Sequence, residues 1–396
     1  MPLPRTVLVG VSGYGARHLE HLRSLHRHGH IVLAALVDPR FADVPDLAAD
    51  RPESAAVMTG LEQALEHANP DIVVVASPPH THLALARAVL EHGAALYLEK
   101  PPVPRVEDLD ELVARRGALR FEVGFQLTRP NVEALLDVWR SGHLGKIRRV
   151  SAFGALRRPD SYYERAAWAG RWFLDGRAVL DGPLFNPLAH VVHTALSFLR
   201  IAHPGWRPTE VMAECYSVRR IEGDDLTAFR VAAEEGPSLT CAGTTASDEV
   251  IEPSVTIYGS AGEATVRHRD GALTVRSHTG TWSRPGPTIS SALESAVLDP
   301  HGTADELLVP EAVRPFVVVT NGVVEGSVAP RRLHDAAQVA ESNHGQRTFI
   351  RGGAAAVAAT ARTGRLFSEL SLPWAHPPAT CRLTGYDRFA HQSLVS

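Results

Sequence analysis

Apolar residues occur in two rhythms along this chain. In the first third they come as short unbroken runs: 6–11 (TVLVGV), 31–37 (IVLAALV), 71–76 (DIVVVA), 95–98 (ALYL) and 121–125. Runs of this length and β-branched content predict strands buried on both faces, as in a parallel sheet. Between them lie stretches with helical spacing, at 15–28, 61–68, 81–92 and 106–116, the first placing Leu19, Leu22 and Leu25 near one face. Strand and helix alternate through short loops, which predicts a doubly wound α/β domain.

The rhythm changes near residue 125. A helix is expected at 131–140, and from about 207 the apolar positions alternate with polar ones in VMAECYSVRR, LTAFRVAAEE, SLTCAGTTAS, SVTIYGS, EATVRHR and LTVRS. Alternation predicts antiparallel strands with unlike faces. Helices are expected at 184–200, 312–325 and 331–341, and the Pro-rich stretch after about 365 gives no regular pattern. The expected architecture is a Rossmann-type domain at 1–124 and an α+β domain at 125–396, the latter built on a large, mostly antiparallel sheet.

Composition narrows the functional classes. With 396 residues, 44% hydrophobic and 21% charged, the chain reads as an ordinary globular protein of two domains. A net charge of −4 gives no general attraction for nucleic acid or anionic lipid. Its apolar runs all fall short of the ~18 residues of a membrane span. The N-terminus does not read as a signal peptide. Cys215, Cys241 and Cys381 are far apart and suit reduced thiols in the cytoplasm. Only two lysines, Lys100 and Lys146, stand among 40 basic residues, so each invites a chemical explanation.

Residues 10–15 (GVSGYG) follow the first strand and open the first helix. That is the place for a dinucleotide-binding turn: Gly10 and Gly15 fill the first and last glycine positions, and Ser12 with Gly13 replaces the middle one. Tyr14 lies in the same turn. Asp38 ends the second strand, where an acidic side chain binds the adenine ribose diol and favours NAD over NADP. Arg40 beside it is the residue type that would accept a 2′-phosphate. Ser77, Pro78 and His82 lie in and after the loop that follows the third run and are expected to border the cofactor.

Glu99 and Lys100 sit just past the fourth run, in YLEKPP (97–102). Ligands of such sheets lie at the carboxyl ends of the strands, so Lys100 is placed to bond a hydroxyl being oxidised. With these pieces the chain resembles the glucose-fructose oxidoreductase / inositol dehydrogenase / MocA family. VLVGVSGYGARH (7–18), ASPPHTHLALARAVLEHGAALYLEKPP (76–102), VGFQ (123–126), DGPLFNPLAHVVHTAL (181–196) and VTIYGSAGEATV (255–266) carry the resemblance. It implies bound NAD(P) and self-association through the second domain's sheet, as a homodimer or homotetramer. It also implies a catalytic Asp-x-x-x-His pair, which aligns here with Asn186 and His190. His190 would then act as acid/base with Lys100 at the reacting C–OH, while Asn186 can orient groups but cannot relay a proton. No metal is expected at His190 and His193.

The segment SYYERAAWAGRWF (161–173) concentrates aromatic residues ahead of this motif. Tyr163, Trp168 and Arg171 are expected to contact substrate, with Arg165 and Asp181 as further polar partners. The expected activity is hydride transfer between a secondary alcohol of a sugar, inositol or related polyol and NAD(P). The resemblance also admits an enzyme that uses bound NAD transiently for epimerisation, elimination or glycoside cleavage. A non-catalytic sensor of dinucleotide or sugar is the third reading.

Overall fold

The computed structural model describes residues 2–41, 52, 54–287, 291–342 and 345–391. The chain divides into two compact units. One comprises Met1–Val103, Glu107–Gln126 and Ser290–Arg314, the other Pro104–Val106, Leu127–Ile289 and Pro315–Ser396. The chain crosses briefly at Pro104–Val106, leaves the first unit after Gln126 and returns to it for Ser290–Arg314. Its helix carries an apolar face, and no pattern in the surrounding sequence marks which sheet that face will cover.

In the first unit the elements run β1 (Arg5–Val9), α1 (Tyr14–Arg27), β2 (Val32–Val37), β3 (Ala56–Met58), α2 (Leu61–Ala68), β4 (Ile72–Val75), α3 (His82–His92), β5 (Ala95–Leu98), α4 (Val106–Arg116, whose first residue falls in the other unit) and β6 (Phe121–Val123). The strands form one parallel sheet in the order β3-β2-β1-β4-β5-β6. The order reverses at β1, so the carboxyl ends of β1 and β4 flank the crevice where such sheets bind ligands. Leu8, Leu22, Leu33 and Val74 are fully buried in a cluster that Leu293, Ala296 and Val297 of a late helix complete. Burying a side chain of that size contributes about 1.5–3 kcal/mol.

The second unit holds α5 (Thr128–Arg140), β7 (Ile147–Arg157), the short pair β8 (Phe173–Leu174) and β9 (Arg177–Ala178), and α6 (Ala189–Ala202). The strands β10 (Pro208–Ser217), β11 (Leu226–Ala233), β12 (Ser238–Thr244), β13 (Ala246–Gly259), β14 (Gly262–Arg267), β15 (Leu273–Ser277) and β16 (Gly280–Arg284) follow. After the late helix α7 (Ala292–Leu298) of the first unit come α8 (Pro310–Ser327), β17 (Arg331–Arg332), β18 (Ala337–Ser342), β19 (Gly345–Ile350), α9 (Gly353–Thr363) and β20 (Ala379–Arg382). The main path of the large sheet is β16-β15-β14-β13-β7-β12-β11-β10-β17. Its neighbours are antiparallel except β7 with β12 and β10 with β17.

Two expectations are corrected here. The helix expected at 331–341 is instead β17, a 3₁₀ turn at His334–Ala336, and β18, which pairs antiparallel with β19. Cross-strand pairing there overrides a local helical preference worth only tenths of a kcal/mol per residue. The stretch after 365 is also more regular than expected. β20 pairs with β10, and Leu366, Phe367, Leu372 and Trp374 join α9 in covering one face of the sheet. Gly243 of β12 lies under Leu184 and Leu188, whereas its neighbour Ala242 packs in the cluster containing Val357 and Phe367. Successive strand residues point to opposite faces. At its centre, therefore, this sheet is covered on both sides by its own chain.

Candidate functional site

The first unit builds the expected turn in backbone. Gly10 has φ +82 and Gly13 φ +59. A Cβ on Gly10 would lie 2.7 Å from the Ala76 carbonyl oxygen, and one on Gly15 only 2.0 Å from the Gly10 oxygen. The glycines are therefore needed for close approach of β1, β4 and α1. Gly13 caps α1 without any side-chain hydrogen bond, and no acidic residue stands in the helix's first turn. Backbone N–H groups and the positive end of the helix dipole thus face outward at Ser12, Gly13 and Tyr14, an arrangement that fits a pyrophosphate.

Asp38 closes β2 and is 2% exposed. Its Oδ2 accepts from Val11 N at 3.3 Å, and its Oδ1 accepts from Arg40 N at 3.0 Å and Nε at 3.3 Å. Arg40 Nη2 donates to Ser12 Oγ. The predicted diol-binding acid and the predicted phosphate-binding base are thus one ion pair, lying against the glycine turn. A bound ribose would meet the pair together.

Glu99 and Lys100 follow β5. Glu99 Oε1 lies 2.7 Å from His18 Nε2 and accepts from Gln126 Nε2 at 3.0 Å. Glu99 Oε2 accepts from Lys100 N at 3.0 Å, and Tyr14 OH donates to Gln126 Oε1 at 3.1 Å. Helix α1, which opens at the glycine turn, is thereby tied to the residue before Lys100. The Lys100–Pro101 peptide is cis. Buried His82 places Nδ1 2.7 Å from Pro102 O and Nε2 2.8 Å from Ser77 O, so it clamps the loop after β4 to the segment carrying Lys100. Burial pushes the His82 imidazole pKa down, against the raising effect of these carbonyls. Ser77 Oγ pairs with Thr81 Oγ1 at 2.7 Å, and Thr81 donates in turn to Pro78 O. His18 and Gln126 escaped the sequence reasoning. Their roles follow from strand order, which no local pattern reveals.

In the second unit Asn186 lies in the turn leading into α6, its N–H bonded to Gly182 O at 3.1 Å. Asn186 Nδ2 donates to Asp181 Oδ1 at 2.8 Å. His190 sits in the first turn of α6, its ring stacked on His268 with centroids 4.7 Å apart. Asn131 Nδ2 donates to the His268 carbonyl at 3.4 Å. His193 is fully buried. Among the described residues no group of three His, Cys, Asp or Glu side chains could hold a metal ion, and no helix is long and apolar enough to cross a membrane.

The aromatic segment pairs its rings with polar and cationic side chains. Tyr163 bonds its hydroxyl to Thr245 Oγ1 at 2.5 Å, and Arg219 lies 5.2 Å from its ring centre. Burial pushes its phenol far above the ordinary range. Tyr163 is half-buried, with its hydroxyl engaged by Thr245, and its half-buried neighbour Tyr162 meets a different pair of arginines. Arg165 lies 3.6 Å and Arg158 4.9 Å from the Tyr162 ring centre, and Arg165 also lies 4.8 Å from that of half-buried Trp168. Arg171 is exposed, and its carbonyl accepts from Asp181 N at 2.8 Å.

Both units resemble known proteins. Residues 5–121 match the family model described as an oxidoreductase family with an NAD-binding Rossmann fold, and residues 132–265 match the GFO/IDH/MocA C-terminal domain. The chain is 26% identical over 285 residues to a putative UDP-kanosamine synthase oxidoreductase subunit of Amycolatopsis mediterranei, covering 66% of this chain and 75% of that one. It is 34% identical over 122 residues to inositol 2-dehydrogenase 1 of Saccharopolyspora erythraea, covering 28% and 34%. Among solved structures, the WlbA dehydrogenase of Bordetella pertussis, in complex with NADH and UDP-GlcNAcA, superposes with a TM-score of 0.64 at 20% identity. That match spans 80% of this chain and 94% of the other. The aldose-aldose oxidoreductase of Caulobacter crescentus, complexed with glycerol, gives 0.61 at 18%, over 80% and 95%.

Proposed function

The chain belongs to the Gfo/Idh/MocA family of NAD-binding oxidoreductases, and from that premise we propose that it oxidises a secondary alcohol of a sugar, inositol or related polyol, or reduces the matching ketone. One observation carries the proposal. The helix that opens at the glycine turn supplies His18 to Glu99, so the cofactor turn and Lys100 belong to one hydrogen-bonded structure. Relatives named as an inositol 2-dehydrogenase and as a UDP-kanosamine synthase oxidoreductase subunit support the substrate class.

Gly10, Ser12, Gly13, Tyr14 and Gly15 would hold the pyrophosphate, and Asp38 with Arg40 the adenine ribose. Ser77, Pro78, His82 and Glu99 would shape the segment that borders the nicotinamide. When bound, NAD supplies the hydride acceptor, and the protein's part is orientation and proton handling. Lys100 would bind the oxygen of the reacting carbinol and favour its alkoxide character. His190 would take the hydroxyl proton on oxidation and return it on reduction. Asn186 would orient the hydroxyl, with Trp168 and Arg171 at the polyol's periphery. Cytoplasmic location and self-association belong to the same reading. A second copy would have to dock outside the sheet face that α9 covers.

The test is a panel of inositols, aldoses and nucleotide-linked sugars assayed for NADH formation. Lys100→Met and His190→Ala should each lower turnover roughly 10²–10⁴-fold, the scale of a positioned acid–base group. Calorimetry should find NAD affinity within a few-fold of wild type. Near wild-type turnover in Lys100→Met would overturn the assignment.

A further inference from the structure

Position 186, where the resemblance implies a carboxylate, holds an amide, and a carboxylate stands against it. Asp181 is 5% exposed and is held by contacts from several directions. Its backbone N–H donates to Arg171 O at 2.8 Å. Its Oδ2 accepts from Gly170 N at 2.7 Å and lies 3.9 Å from Arg165 Nη2. Its Oδ1 accepts from Asn186 Nδ2 at 2.8 Å.

An ionised carboxylate only accepts hydrogen bonds, so the amide that meets it must turn its NH₂ inward. The planar amide then directs its carbonyl oxygen the other way. A free asparagine could present either end, because the two orientations have nearly the same shape. The buried charge removes that ambiguity, and a charge-assisted hydrogen bond is stronger than a neutral one.

We propose that Asp181 is a positioning residue whose carboxylate locks the Asn186 amide with its oxygen outward, so that Asn186 meets the reacting group as a hydrogen-bond acceptor. The inference rests on the placement of Asn186 and His190 at the substrate, given under Proposed function. It adds that the acceptor character of a carboxylate is retained at position 186, while the charge is moved five residues back and buried.

The decisive set is Asp181→Asn, Asn186→Asp and the double exchange Asp181→Asn/Asn186→Asp, with His190→Ala as the control for the site itself. In Asp181→Asn the Gly170 N–H claims the new amide's oxygen, so its NH₂ faces Asn186 and favours the reversed amide there. We expect kcat to fall about tenfold and KM to change less than about threefold, the loss of one charge-assisted hydrogen bond. In Asn186→Asp two carboxylates meet, and one of them must hold a proton. The charged or titratable groups that face Asp181 include Arg165, Tyr162 and Tyr163, and His190 lies four residues beyond Asn186. Turnover and melting temperature should both fall as pH rises from 5 to 8, because the shared proton is lost. The double exchange restores one amide and one carboxylate. It should recover kcat to within about threefold of wild type and remove the added pH dependence.

Wild-type kcat and pH profile in Asp181→Asn, or a double exchange no better than the worse single variant, overturns the inference. Unchanged turnover in His190→Ala overturns the site reading instead, which the Asp181 variants alone would not do. If no panel member is turned over, the polyol reading fails. The melting curves then decide the lock, and a pH-independent Asn186→Asp variant overturns it.

Discussion

Asp38 is held by the Val11 N–H, the Arg40 N–H and the Arg40 guanidinium, so part of its hydrogen-bonding capacity is taken up within the protein. We expect NAD to bind more tightly than NADP, because a 2′-phosphate would meet this carboxylate. Asp38→Ala frees Arg40 and should narrow the preference about tenfold in paired calorimetric titrations, the worth of one charged hydrogen bond. A wild-type preference for NADP would contradict the assignment. Asp224 is the clearest buried acid. Trp172 Nε1 and Thr227 donate to it, Asp225 and Cys215 are its titratable neighbours, and burial raises its pKa to about 7. An unfolded aspartate titrates near ~3.9. The folded chain therefore holds the extra proton, and stability falls as pH rises from about 4 to about 7. Asp224→Asn should flatten that fall, by on the order of 1.4 kcal/mol per tenfold change in proton affinity. Melting at pH 5 and pH 8 checks it. An unchanged slope would mean that other groups set the dependence. Residue roles were only partly legible in the sequence. Lys100 stands out by rarity and strand-end position, but Tyr162 and Tyr163 are adjacent, and only the packing of Thr245 and Arg219 tells them apart.

Elements differ in how openly they announce themselves. β2, β4, β5 and the Val7–Val9 part of β1 are uninterrupted apolar runs because both faces are buried, and buried strands need no polar face. β3 is three half-buried residues and leaves no such trace. The stretch 331–341 reads as helical because its preference is judged without the partner strand β19, which follows it in the chain. α9 is rich in alanine, a strong helix former, yet its apolar face is made of small side chains that give a weak periodic signal. The glycine turn is legible because its chemistry is local. Gly15→Ala tests it at the level of the element. With the added Cβ 2.0 Å from the Gly10 oxygen, α1 must move off β1. NAD affinity should fall at least tenfold, and the melting temperature should drop with it, read by calorimetry and thermal unfolding. Unchanged affinity would mean that the turn does not hold the cofactor.

At the scale of the whole molecule the first unit is discontinuous in the chain. Arg120 Nη1 donates to Asp299 O at 2.7 Å, and Glu122 Oε1 accepts from Asp305 N at 2.7 Å, so β6 is finished by residues far ahead of it. A fragment covering residues 1–126 should therefore be unstable. We expect it to bind a dye for exposed apolar surface and to lack a cooperative melt, whereas adding 290–314 through a flexible linker should restore one. A cooperative melt in the unlinked fragment would show that α7 is dispensable. The same discontinuity sets an order of events on the ribosome. Between Gln126 and Arg314 the ribosome must add 314 − 126 = 188 residues, about 10–40 s at 5–20 residues per second. Throughout that interval the nascent sheet carries an uncovered apolar surface where Leu293, Ala296 and Val297 will later sit. A holdase chaperone would find such a surface in the growing polypeptide but not in the finished protein, where α7 covers it.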